Sequence, residues 1–233
     1  RLRYDKVSPA VAKPPWILMK TPYPLIIITI SYLLFVVSVG PRLMKNRPPI
    51  SMNNFLILYN IFQVAFSLYL CYIVSIFILV TYKFNFIFHE LFSKFFISSS
   101  IYTYFIAKVT ELLDTILFVL RKKDNQVTFL HVYHHLTVMW CTWFNLKYEP
   151  SYNTIFLGTL NSYVHVIMYT YYGMSAVPEL AKNLWWKKYI THGLYLLRWR
   201  LRVRSPHMTN ICIGYTGVCR GLGVCAYMFV ILK

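Results

Sequence analysis

Three stretches decide how this chain is read: Lys108-Val-Thr-Glu111-Leu-Leu-Asp114-Thr115, His131-Val-Tyr-His134-His135, and Asn161-Ser-Tyr-Val-His165-Val-Ile-Met168-Tyr169-Thr-Tyr171-Tyr172. Each lies inside a run of side chains apolar enough for a lipid bilayer. Only seven acidic residues occur in the whole protein, and two of them, Glu111 and Asp114, fall in the first stretch. An ionisable group at membrane depth costs about 2.5–3.5 kcal/mol on insertion scales, so such groups face a protein interior or a polar path rather than lipid. A buried reactive site is the expectation.

Outward from these stretches, the composition agrees. The 233 residues are 58% hydrophobic and 18% aromatic, too apolar for an ordinary soluble domain. The chain reads as a single all-α, polytopic membrane domain over residues 1–233. Its formal charge of +17 raises nucleic acid as a partner, but the basic residues argue against it. Arg42, Lys45 and Arg47, then Arg121, Lys122 and Lys123, then Lys182, Lys187 and Lys188 sit in short connections between apolar runs, as cytoplasmic loops do beside anionic head groups or phosphorylated substrates. Arg1, Arg3, Lys6, Lys13 and Lys20 fall on the opposite side if the spans alternate. The five cysteines give neither a disulfide framework nor zinc spacing. Pro14, Pro15, Pro22 and Pro24 precede the first apolar run, so no cleavable signal peptide is expected; the start at Arg1, without methionine, leaves room for a longer N-terminus.

A spanning helix needs about 20 apolar residues. Residues 25–39, 55–80, 101–120, 127–144 and 151–174 qualify, a sixth span would start near Tyr189, and a seventh would cover 211–232. Pro41, Pro48 and Pro49 are expected to close the first span. The stretch 83–100, rich in Phe and Ile yet interrupted by Lys83, His89, Glu90 and Lys94, reads as an interfacial helix or a long connection.

On helices, His131, His134 and His135 stand at i, i+3 and i+4, so their imidazoles share one face. Asn161, His165, Met168, Tyr169 and Tyr172 form a second stripe, and Lys108, Glu111 and Thr115 a third, with Asp114 beside it. A lone intramembrane histidine or tyrosine ordinarily packs. Three imidazoles on one turn do not act as filler, whereas Glu111 and Asp114 have an equally good structural reading as partners of Lys108 or of an imidazole. Two chemistries could use the box. A di-metal oxygenase or desaturase centre requires more histidine ligands than this chain supplies, since His89, His192 and His207 are scattered. A neutral imidazole acting as nucleophile or general base needs no metal, and the ligand count favours it.

The three stretches, in order and at these separations, resemble the signature motifs of the very-long-chain fatty acid elongases, a resemblance that covers roughly residues 22–80 and 101–191. Gly40-Pro41-Arg42-Leu43-Met44 with Asn46-Arg47-Pro48 resembles that family's turn after the first span. Trp185-Trp186-Lys187-Lys188-Tyr189-Ile190-Thr191 resembles the opening of its sixth. The resemblance implies about seven transmembrane helices in the endoplasmic reticulum membrane, helices two to seven forming a barrel around an acyl tunnel. It implies condensation of acyl-CoA with malonyl-CoA to 3-oxoacyl-CoA, carbon dioxide and CoA, with no cofactor and no resident metal. His134 would carry the acyl group and His165 would face it. His131 and His135 would assist, with Lys108, Glu111, Asp114, Asn161, Met168, Tyr169 and Tyr172 in support. Arg121, Lys122, Lys123, Lys187 and Lys188 would meet the CoA phosphates. The reductases and dehydratase of the elongation cycle are the implied partners, a homodimer is compatible with it, and nucleic acid is not implied.

The chain departs from that pattern over 83–100, which lacks the family's polar, cysteine-bearing stretch. It departs again over 192–210, where Leu194 and Leu197 replace a Gln-x-x-Gln pattern and Arg198, Arg200, Arg202 and Arg204 follow. A retained intron and a local frameshift would account for both. The rival functions are an inactive elongase paralogue serving as scaffold of the elongation complex, and, behind it, the di-metal desaturase or hydroxylase.

Overall fold

The computed structural model describes residues 16–83, 89–148, 150–182 and 184. The expected sixth and seventh spans, Lys187, Lys188, His192, His207 and the arginine-rich stretch 198–204 lie outside them. Among the described residues every regular element is helical and none is a strand, in agreement with the all-α expectation.

The chain enters through α1, Tyr23–Leu34, with Pro24 in its first turn, where the missing N–H breaks no helical bond. Pro41 does not close this span, contrary to the sequence expectation. A π-helical turn over Phe35–Val39 precedes it, with Gly40 N–H bonded five residues back to Phe35 O, and Pro41 then occupies the first turn of α2, Gly40–Met44. The wider turn removes the clash between a proline ring and the carbonyl four residues earlier. The helix ends instead in the connection that holds Pro48 and Pro49. Gly40 is needed here, because a Cβ would stand 2.6 Å from Val119 Cγ1 and 2.8 Å from Phe35 O.

Next comes α3, Asn53–Lys83. The second correction concerns α4, His89–Thr110. Residues 89–100 are neither a separate interfacial helix nor a loop but the first half of the helix that carries Lys108. Serines 98–100 are absorbed because a helix satisfies the backbone internally and leaves only short hydroxyls to accommodate; Thr103 Oγ1, for one, donates back to Ser99 O at 2.9 Å. The expected continuous helix from 101 to 120 is broken at Glu111, and α5, Leu112–Leu120, follows. Asp114 N–H reaches only three residues back, to Glu111 O, so the chain tightens for one turn.

Helix α5 stops at a left-handed Lys122 (φ 54°), with Lys123 N–H bonded to Phe118 O and Lys122 N–H to Val119 O. This pair of bonds is the Schellman arrangement, and the three basic side chains beside it suit the negative end of the helix dipole. Then α6, Phe129–Tyr148, starts where Thr128 Oγ1 accepts the His131 N–H. In α7, Tyr152–Ser175, Ser151 Oγ accepts the Thr154 N–H. Both are side-chain caps. A short α8, Pro178–Ala181, ends the described chain.

The apolar core of the bundle also holds buried polar groups, and its outer surface is largely apolar. Helix α3 buries Asn60, Gln63 and Ser67 while Leu58, Ile61, Phe62, Leu68 and Tyr72 are exposed; α1 exposes Ile26, Ile27, Ile30 and Leu34, and the π-helical turn after it exposes Val37. An apolar outer surface with the polar side chains kept inside suits a hydrocarbon solvent. Tyr23–Met44 and Asn53–Phe77 are long and apolar enough to cross a bilayer. Helix α3 runs along α7, α4 touches α3, α6 and α7, and α5 lies on α2.

The basic connections share one end of this bundle. Ile50 N–H bonds to Leu120 O, joining the first to the second. Met52 and Ala176 pack on one apolar cluster with Leu56, Leu117 and Tyr169, which brings in the third. At the opposite end Trp143 Nε1 donates to Leu18 O and Lys147 Nζ to Lys20 O.

Candidate active site

Lys108 is 2% exposed and Glu111 3%, so neither charge is solvated by water. They lie one helical turn apart, and Lys108 Nζ donates to both carboxylate oxygens, at 2.8 and 2.9 Å. Its third hydrogen goes to Asn161 Oδ1 on α7, which exhausts the donors of an ammonium. Both partners of a buried pair must be present, since either alone is an uncompensated charge.

The break at Glu111 gives this carboxylate three neighbouring helices. His165 Nδ1, from α7, is 3.2 Å from Oε1 but out of line for a hydrogen bond, and the other ring nitrogen stands 3.5 Å from Lys108 Nζ. His135 Nδ1, from α6, is 4.0 Å from Oε2. The box continues from there: the His131 and His135 rings are 4.3 Å apart between centroids and those of His134 and His135 5.5 Å. His131 and His135 are buried and His134 is half-buried. Spacing alone brought the histidines to one face; the fold sets His165 and Glu111 against that face.

Asp114 belongs to a second cluster. Its Oδ2 accepts the Tyr169 hydroxyl at 2.6 Å. Beside it Thr115 Oγ1 accepts the Tyr32 hydroxyl at 2.8 Å, and Tyr59 donates to Thr110 O while Gln63 Nε2 donates to Tyr59. Tyr172 stands edge-on to Phe118 and to Tyr169. Met168 packs on the Leu56, Tyr59, Leu117 and Tyr169 cluster. Arg121 is half-buried and Lys122 and Lys123 exposed at the basic end.

Sequence reasoning missed Tyr32, Tyr59, Gln63 and Tyr104. Two signals were present. Asn60, Gln63 and Ser67 repeat the i, i+3, i+7 spacing of Lys108, Glu111 and Thr115, and Tyr104 precedes Lys108 by four residues. Tyr32 gave none, since an isolated tyrosine in an apolar run looks the same at a lipid interface. Among the described residues no three His, Cys, Asp or Glu side chains are grouped to hold a metal ion. What the arrangement offers is a set of imidazoles in a water-poor interior, beside a carboxylate whose position an ammonium fixes. Such imidazoles can serve as nucleophile, base or acid.

Comparison with known proteins agrees with the motifs. Residues 17–197 match the model of the ELO family, described as GNS1/SUR4. A very long chain fatty acid elongase of Aedes aegypti is 41% identical over 182 residues, covering 76% of this chain and 51% of that protein. Very long chain fatty acid elongase 7 of Rattus norvegicus is 42% identical over 184 residues, covering 76% of this chain and 64% of its own length. Very long chain fatty acid elongase 4 of Homo sapiens is 41% identical over 190 residues, covering 76% and 57%. The chain thus spans between about half and two thirds of the length of these relatives. With helices as its only regular elements among the described residues, and with its histidine box and its Lys108–Glu111 pair inside the matched region, the chain belongs to the ELO family.

Proposed function

We propose that this chain is a condensing enzyme of fatty acid elongation, joining acyl-CoA to malonyl-CoA to give 3-oxoacyl-CoA, carbon dioxide and CoA. The observation that carries the reading is the Glu111 carboxylate, held by Lys108 and set between His165 and His135. In this reading His134 attacks the thioester carbonyl, the C–S bond breaks, and the imidazole N–H proton passes to the departing CoA thiolate. Malonyl-CoA then loses carbon dioxide, and the resulting enolate carbon attacks the acyl-imidazole, which returns the imidazole to His134 after protonation. His165 faces this exchange, while His131 and His135 orient the reacting ring or stabilise the enolate. An acyl-imidazole is lost rapidly to water, so the step requires a dry site.

A bundle of about seven spans, with helices two to seven around an acyl tunnel, supplies that dryness; burial of a long chain contributes about 0.8 kcal/mol per CH₂. Arg121, Lys122, Lys123, Lys187 and Lys188 serve the CoA phosphates. The chain works without a cofactor in the endoplasmic reticulum membrane, alongside the reductases and dehydratase of the cycle, with a homodimer as one form. The test is an assay of membranes carrying the chain, with labelled malonyl-CoA and a panel of acyl-CoAs. Labelled 3-oxoacyl product from the parent, and none from His134→Ala at equal expression, is the expected result. An inactive parent, or near-normal turnover by His134→Ala, overturns the reading.

A further inference from the structure

Helices α4 and α7 face each other through two rungs with matching spacing. Tyr104 and Lys108 are four residues apart on α4, and Asn161 and His165 four apart on α7, so each pair stacks along one helix face. In the lower rung Lys108 meets His165. In the upper rung the Tyr104 hydroxyl donates to Asn161 Oδ1 at 3.0 Å. The rungs are cross-braced, because Lys108 Nζ donates to the same Asn161 oxygen and lies 4.9 Å from the centre of the Tyr104 ring.

This cross-brace has a directional consequence. Lysine ammonium cannot accept a hydrogen bond, so the Asn161 oxygen, not its nitrogen, points at Lys108. With Tyr104 as a second donor, the oxygen holds two hydrogen bonds and the amide has one orientation. Tyr104, Lys108 and Asn161 are 5%, 2% and 3% exposed, so these polar groups rely on one another rather than on bulk water. The ring packs closely on α7, where a Cβ at Gly158 would stand 3.4 Å from Tyr104 Cγ, Cδ1 and Cε1, and Tyr104 and Gly158 together line a small cavity of about 20 Å³ with Leu70, Val74, Ser100 and Ser162.

We propose that Tyr104 is a positioning residue for the condensation: its hydroxyl locks the Asn161 amide, which fixes the Lys108 ammonium and, through it, the Glu111 carboxylate between His165 and His135. The inference rests on the condensing reading given above. Its route to the carboxylate runs through Asn161 and Lys108. Removing the hydroxyl leaves the ring, its packing and its contact with the ammonium in place. The loss therefore falls on the alignment of the carboxylate and not on the apolar path that binds the acyl chain. Misalignment of a reacting group raises the barrier without weakening ground-state binding, which lowers kcat at constant KM.

The test compares Tyr104→Phe with the parent chain in membranes, using labelled malonyl-CoA and varied acyl-CoA, and quantifies folded protein in each sample. Tyr102→Phe, two residues earlier on the opposite face of the helix and stacked on Trp16 at 5.0 Å, is the control for loss of a tyrosine hydroxyl on the same helix. Expected is a kcat per folded chain about tenfold lower for Tyr104→Phe, KM for acyl-CoA within about twofold of the parent, and both constants unchanged for Tyr102→Phe. A purely structural role would lower the amount of folded chain and leave kcat per folded chain alone; that result overturns the inference, as does a change confined to KM. A parent chain that makes no 3-oxoacyl product refutes the condensing reading itself, an outcome separate from an active parent that Tyr104→Phe leaves untouched.

Discussion

Replacing Lys108 by methionine removes the ammonium and preserves the length of the side chain. The Glu111 carboxylate, 3% exposed, then loses two hydrogen bonds, of 2.8 and 2.9 Å, and retains imidazoles at 3.2 and 4.0 Å. Breaking a buried pair from one side costs about 3–5 kcal/mol, most of it the penalty of the charge left behind. For a chain of this length each kcal/mol corresponds to a Tm change of roughly 2–4 °C, so a fall of roughly 6–20 °C is expected. The companion variant decides the cause. In Lys108→Met with Glu111→Met the orphaned charge is gone as well, and replacing a whole buried pair by apolar groups of similar volume is close to neutral. Thermal unfolding of detergent-purified protein, followed by the helical circular dichroism band, reads all three forms. The double variant should regain most of the lost Tm while remaining inactive in condensation. If Lys108→Met melts within about 2 °C of the parent, or the double variant melts no higher than the single, the pair does not bear on stability in the way its geometry implies.

Gly40→Ala should destabilise by about 1–3 kcal/mol through overpacking, because the new Cβ meets Val119 Cγ1 at 2.6 Å and Phe35 O at 2.8 Å; Val119→Ala in the same chain should recover only part of this, since the carbonyl remains, and full recovery would show the backbone contact to be unimportant. Single cysteines placed at Lys45, Lys122 and Lys182 in a background lacking native cysteines should all react with an impermeant maleimide from the cytosolic side of sealed membranes, as the shared end of the bundle and its basic excess require. Labelling of any one from the lumen would break the shared topology.

The helical, membrane-suited character was legible because it rests on local chemistry. A run of apolar residues of spanning length makes a helix that satisfies its own backbone, and no tertiary partner alters that. The histidine box was legible for the same reason, since i, i+3 and i+4 positions share a face on any helix. Pro41 was misread because proline's conflict with the preceding carbonyl can be relieved by a π-turn, and that turn is stabilised by the approach of α5 over Gly40, a contact 79 residues away in the chain. The start of α4 at His89 was hidden by serines and charged residues that look like a connection, although a helix tolerates them at its end.

Sequence alone therefore determined which side chains had to avoid lipid: Lys108, Glu111, Asp114, the histidines and Asn161 are too polar to face hydrocarbon, whatever the fold. It left their partners open, because spacing places residues on a face and says nothing of the face opposite. Tertiary structure decided that Glu111 takes Lys108, His165 and His135 whereas Asp114 takes Tyr169, and that Tyr104 closes on Asn161. The physical reason is that buried polar groups must be satisfied by whatever the packing of α4, α6 and α7 brings within about 3 Å, and that packing depends on the shapes of apolar residues far from the site.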